Sequence, residues 1–123
     1  MKRKTFYSMF EYKGVTGVKK REGYEISAYG MKFNAYKSTE GIVHIVEPKT
    51  GLSIFKKDCY DETRETNDFV GTYEYIIAAK EEFEKRNLEA RILELMKTEE
   101  YQTLTRIFEA YKKGKRLEEK LKK

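Results

Sequence analysis

The chain has 123 residues, 39% of them hydrophobic and 38% charged, with a formal net charge of +5. That length fits one domain with a modest core, and the spread of aromatic and β-branched residues excludes a wholly disordered chain. The single cysteine, Cys59, excludes an internal disulfide and a thiolate metal cage, and it points to a reducing compartment.

The charge is unevenly laid out. Residues 1–57 carry 12 Lys/Arg against 5 Asp/Glu, a balance of +7. Residues 58–111 carry 7 against 14, a balance of −7. Residues 112–123 carry 7 against 2, a balance of +5. Such asymmetry marks surfaces with different partner preferences. The basic start MKRKTFYSMFEYKG is not followed by an apolar run, so no secretory signal is expected. No stretch reaches transmembrane length, and the expected location is cytoplasmic, with no membrane partner.

The first half reads as strands. Thr5–Tyr12 is dense in aromatics and has no cleanly polar face, so both faces are expected to be partly covered. The following KGVTGVKKREG holds three glycines and a basic cluster and reads as an exposed loop. Tyr24, Ile26 and Ala28 then alternate, Gly30 interrupts, and Met31, Phe33 and Ala35 continue. A bulge or tight turn at Gly30 fits this pattern. Ile42–Val46 and Leu52–Phe55 are the next strands. EPKTG is the turn of their hairpin, with Pro48 fixing φ and Gly51 permitting a positive φ.

The second half reads as helices. CYDETRETNDFVG is a connection rich in capping and turn residues. A helix from near Gly71 to Arg86 carries Ile76, Ala79 and Phe83 on one face. Asn87 can cap a second helix with Leu88, Ile92, Leu95 and Met96. Thr98 can cap a third, with Glu99 and Glu100 in its first turn and Tyr101, Leu104, Ile107, Phe108 and Tyr111 along its apolar face. Gly114 is the expected end of this helix, and KKGKRLEEKLKK reads as a frayed or partner-stabilised tail. Strands followed by helices predict an α+β fold. The expectation is a mostly antiparallel four- to five-stranded sheet in the N-terminal half, with about three C-terminal helices packed on one face, in one domain.

No enzyme signature emerges. His44, the only histidine, sits in IVHIV, where a catalytic role would need an orienting partner and a substrate. A Cys59–His44 pair is formally possible, but Cys59 has no recognisable nucleophile signature around it. Asp58, Asp61, Glu62, Glu65 and Asp68 lack the spacing and central glycine of a calcium loop. The glycines of GVTGVKKREG match no phosphate-binding loop. No catalytic residue, metal ligand or cofactor is assigned.

The basic first half is the clearest signal. Lys13, Lys19, Lys20, Arg21, Lys49, Lys56 and Lys57 are interleaved with aromatics, among them Tyr7, Tyr12 and Tyr24. Cations that hold phosphates beside rings that stack on bases suit single-stranded nucleic acid. The alternative is that the rings are core and the lysines only solubilise. Glu81, Glu82 and Glu89 of the acidic helices, and Lys115, Arg116, Leu117 and Leu121 of the tail, are the candidates for protein contact.

The run IVHIVEPKTGLSIFKKD, the acidic Thr-rich connection after it and EYIIAAKEEFEKR resemble small accessory proteins of bacteriophages and other mobile elements. The resemblance covers about residues 41–86, a hairpin with a Thr-Gly turn followed by a helix ending in charges. It implies a context of nucleic-acid-binding factors and of stoichiometric inhibitors of host defence, such as anti-CRISPR proteins. It carries over no functional residue. The basic first half departs from the acidic, DNA-mimicking surface of many such inhibitors. The partners expected are therefore a nucleic acid or a nucleoprotein, or else a protein bound through the acidic helices or tail.

Overall fold

The computed structural model of the protein describes residues 1–58 and 69–122. Five strands come first: β1 Lys2–Tyr12, β2 Val15–Ala28, β3 Met31–Lys37, β4 Ile42–Val46 and β5 Ser53–Asp58. Three helices follow: α1 Phe69–Lys85, α2 Glu89–Met96 and α3 Glu99–Leu121. The strands pair in chain order as an antiparallel meander, β1-β2-β3-β4-β5. The α+β architecture expected from strands-then-helices is present, with the helices packed against the sheet.

Alternation along β2, β3 and β4 puts Ile26, Ala28, Phe33, Ala35, Val43 and Ile45 on one face. These residues form the main core with Ile76, Ala79 and Phe83 of α1. Phe83 is its centre, with the rings of Tyr29, Phe33 and Phe55 at 5.2, 5.3 and 5.3 Å. Truncating a buried phenylalanine of this kind costs about 3–5 kcal/mol. The opposite face carries a smaller cluster of Phe6, Tyr36 and Val46.

The segment from Lys13 to Gly23 is not the exposed loop that its glycines and lysines suggest. It is strand from Val15 onward, paired residue for residue with β1. Only Lys13 and Gly14 turn, with φ of 51° and 77°. Tyr29 and Gly30, at 56° and 71°, make the same two-residue turn between β2 and β3, the kind that matches strand twist. The lysines of β2 are tolerated because Lys19 and Lys20, on opposite faces of that hairpin, are both exposed.

The sheet curls. The Met9 N–H donates to the Gly51 carbonyl at 2.8 Å, tying β1 to the turn between β4 and β5. In a flat five-stranded sheet these would lie far apart. Gly51 has the positive φ expected of it, 69°. A Cβ there would also meet the Phe108 ring at 2.4 Å, so the turn fits closely under α3. Within the turn, the buried Glu47 carboxylate accepts from the N–H groups of Lys49 and Thr50 at 3.0 and 2.9 Å. Burial, with the Glu47 charge beside it, raises the Tyr101 hydroxyl to about 12.

The helix limits differ from the sequence expectation in three places. The first helix begins at Phe69, two residues before Gly71. Asn87 does not cap the second helix. It takes a left-handed conformation, φ 52°, just after the first helix, and Leu88 is the N-cap of α2 without a side-chain bond. Gly114 does not end the third helix, which runs on to Leu121. The tail is held by Glu119, which accepts from the Tyr7 hydroxyl at 3.1 Å and pairs with Lys20 at 3.6 Å. Thr98 caps α3 as expected, accepting from the Tyr101 N–H at 3.1 Å.

Candidate nucleic-acid interface

The sheet face turned away from α1 carries a charged, aromatic ladder. Register places Tyr36 of β3 opposite His44 of β4, and His44 opposite Lys56 of β5. Directly opposed side chains in a sheet are close enough to touch. Tyr36 and His44 stack, with centroids 4.8 Å apart and planes at 6°. The Arg21 guanidinium lies over the Tyr36 ring, 4.4 Å from its centroid. Its Nε donates to Ser8 Oγ at 3.0 Å. Arg21 is thus held by a neutral ring and a hydroxyl rather than by a carboxylate.

A register shift completes the ladder. Between Ile45 and Val46 the β4–β5 pairing slips, so Val46 faces Ser53. Without the slip Ile54 would face Val46 and Ser53 would point toward the helices. With it, Ser53 Oγ lies 3.0 Å from His44 Nδ1. Burial lowers the His44 pKa first, and the positive charges of Lys56 and Arg21 lower it further, to about 4. His44 is therefore a neutral plate at pH 7.

Around this ladder lies an open cleft of about 760 Å³, whose lining includes Phe10, Tyr12, Lys19, Arg21, His44 and Lys56. Sites that hold small ligands span about 300–1,000 Å³. Among the described residues, Lys19, Arg21 and Lys56 form no ion pair. Glu11 and Glu40 stand at the edge of the same cleft.

The cations singled out in the sequence divide between the two faces. Lys19, Arg21 and Lys56 come together in the cleft, with Tyr12, 66% exposed, beside them. Lys13 lies at the β1–β2 turn, 5.4 Å from the Tyr12 ring centroid. Lys20 and Tyr7 lie on the other face and meet Glu119. Lys57 pairs with Glu82 at 2.9 Å. The Tyr24 ring meets the edge of Tyr73 at 5.3 Å. Lys49 is exposed in the β4–β5 turn.

The residues proposed for protein contact also differ in environment. Glu82 receives hydrogen bonds from Lys57 and Arg86, which hold its carboxyl below the usual range. Glu81 and Glu89 are exposed. Lys115 pairs with Glu118 at 3.7 Å, and Arg116 is exposed. Leu117 and Leu121 are 59% and 86% exposed. Cys59 and the rest of the acidic run after Asp58, namely Asp61, Glu62, Glu65 and Asp68, lie outside the described residues. Among the described residues no group of three or more His, Cys, Asp or Glu side chains could hold a metal ion, and no helix is long and apolar enough to cross a membrane.

Tyr36, Ser8 and Ser53 were not singled out in the sequence. Alternation puts Tyr36 and His44 on definite strand faces, but only the register makes them neighbours. Ser53 depends on a bulge that leaves no mark in residue types. Comparison with known protein families, characterised proteins and solved structures finds no match.

Proposed function

We propose that the chain is a non-enzymatic binding module that engages nucleic acid, free or in a nucleoprotein, through the cleft of the curled sheet. One observation carries this reading: three cations with no ion-pair partner among the described residues, Lys19, Arg21 and Lys56, converge on one concave aromatic face. Unpaired cations are free to replace the counterions of a phosphate backbone. Tyr12 offers an exposed ring for a base. Lys20 and Lys57 sit against carboxylates on the helix side and belong to the scaffold rather than to this surface.

Fluorescence anisotropy with labelled thymidylate oligomers and with duplex DNA tests the reading. Binding of the single strand at low salt, weakening as salt rises, is expected. A chain that ignores both nucleic acids at low salt would contradict it.

The second reading is a stoichiometric protein inhibitor or assembly factor of a mobile element. Exposed Leu117 and Leu121 near the end of α3 favour it, because large apolar side chains left in water are suited to contact. Recovery of a stoichiometric protein partner that survives nuclease treatment would support this reading over the first.

A further inference from the structure

The cleft has a floor as well as walls, and the floor is built around His44. Ser53 occupies Nδ1, Tyr36 covers one face of the ring, and Lys56 stands opposite on β5. Nε2 has no hydrogen-bond partner among the described residues. Arg21 approaches from β2, with its orientation fixed by Ser8 and Tyr36. Two positive charges therefore act on a neutral ring in an open cleft, Arg21 held in place and Lys56 mobile. The two charges repel each other and disfavour a third on the ring.

We infer that the cleft floor seats one phosphoryl group between Arg21, His44 and Lys56, and that seating it draws a proton onto His44. The inference rests on the reading of the cleft as a phosphate-binding surface and names what binds at its floor. The geometry suits an anion. Arg21 offers planar donors already oriented by the Tyr36 stack. Lys56 supplies a mobile point charge from the opposite side. In the tautomer whose Nδ1–H donates to Ser53 Oγ, Nε2 is the nitrogen that takes a proton from solvent and presents it to a phosphoryl oxygen.

The coupling follows from the charges that line the cleft. Arg21 and Lys19 approach from β2, Lys56 from β5, Glu11 from β1 and Glu40 from the β3–β4 turn. In the free protein burial and the two nearest cations hold His44 neutral down to about pH 4. A bound phosphoryl group cancels much of that positive field and accepts from the ring, so His44 binds its proton at higher pH. The complex then holds more protons than the free protein. Affinity rises as pH falls from the ordinary histidine range, and the gain levels off below about 4, where the free ring is protonated too.

His44 is the only histidine in the chain, so its ring signals are unambiguous in an NMR titration. Two probes serve: inorganic phosphate, and a thymidylate oligomer whose diesters and bases keep their charge across the window. The free protein should titrate near 4. Either probe at saturation should raise the midpoint by at least about one pH unit, a tenfold change in proton affinity. An oligomer that binds while the midpoint stays put would overturn this inference and leave the nucleic-acid reading standing. Phosphate that moves the midpoint while the oligomer fails to bind would support the seat and overturn that reading. Failure of both probes to bind would overturn both.

Discussion

The rings of Tyr36 and His44 lie parallel, 6° apart in plane and 4.8 Å between centroids. Arg21 closes against the same tyrosine, and Tyr36 is only 6% exposed. Tyr36 is therefore not a free platform for a base. Its faces are spent on orienting the cation and the histidine. A base entering the cleft has to use a ring at the rim, and Tyr12 is that ring.

Replacing Tyr12 with alanine should weaken oligomer binding by about 1–3 kcal/mol, the usual worth of one stacked base. Its exposure means that unfolding in urea should be almost unchanged. Tyr24→Ala should do the reverse. That ring packs against Tyr73 and the main core, so its loss should lower stability and leave the affinity of the remaining folded protein intact. Binding isotherms and urea curves on both variants separate the two roles.

His44 also makes stability depend on pH. Its folded pKa is depressed to about 4 from an ordinary value of 6.5. Between those values the unfolded chain binds more protons, so stability rises with pH. The contribution is present above about 6.5 and is lost as pH falls toward about 4. The ring is only half-buried, so screening reduces the effect to on the order of 1–2 kcal/mol. Urea midpoints at neutral and mildly acidic pH should differ less in His44→Gln than in the parent. Equal pH dependence in both would contradict the assignment.

Much of the fold was legible from residue order. The alternations of Tyr24, Ile26 and Ala28 and of Met31, Phe33 and Ala35 marked apolar strand faces, and Ile76, Ala79 and Phe83 marked the apolar face of α1, but which sheet face meets the helices was not legible. The cleft was legible only in part. Lys19, Arg21 and Lys56 stood out as cations, but Lys20 and Lys57 looked the same. Neighbouring residues on a strand point to opposite faces. Only pairing with Glu119 and Glu82, distant in the chain, sets those two apart. The Gly17 and Gly23 signals mimicked a loop because glycine marks turns more often than paired strands.

Two glycines should respond to alanine in opposite ways. At Gly51 a methyl meets the Phe108 ring at 2.4 Å, and the backbone is left-handed. Gly51→Ala should cost about 1–3 kcal/mol from overpacking alone, with backbone strain added. At Gly114 a methyl meets nothing within 4 Å, and the residue lies inside α3. Gly114→Ala should gain roughly 0.5–1 kcal/mol. Thermal midpoints that move in the same direction would contradict the placement of α3 over the β4–β5 turn.

The central claim is that the cations of the cleft, and not the basic charge of the chain at large, hold a nucleic acid. Its most direct test is the salt dependence of thymidylate-oligomer binding for the parent, for Lys19→Glu/Arg21→Glu/Lys56→Glu and for Lys57→Gln. Each phosphate contact on a single strand contributes about −0.7 to the slope of log affinity against log salt. The account predicts a slope shallower by about 2 in the triple variant, with weaker binding, and a parental slope for Lys57→Gln. A triple variant that binds with the parent's affinity and slope would contradict it.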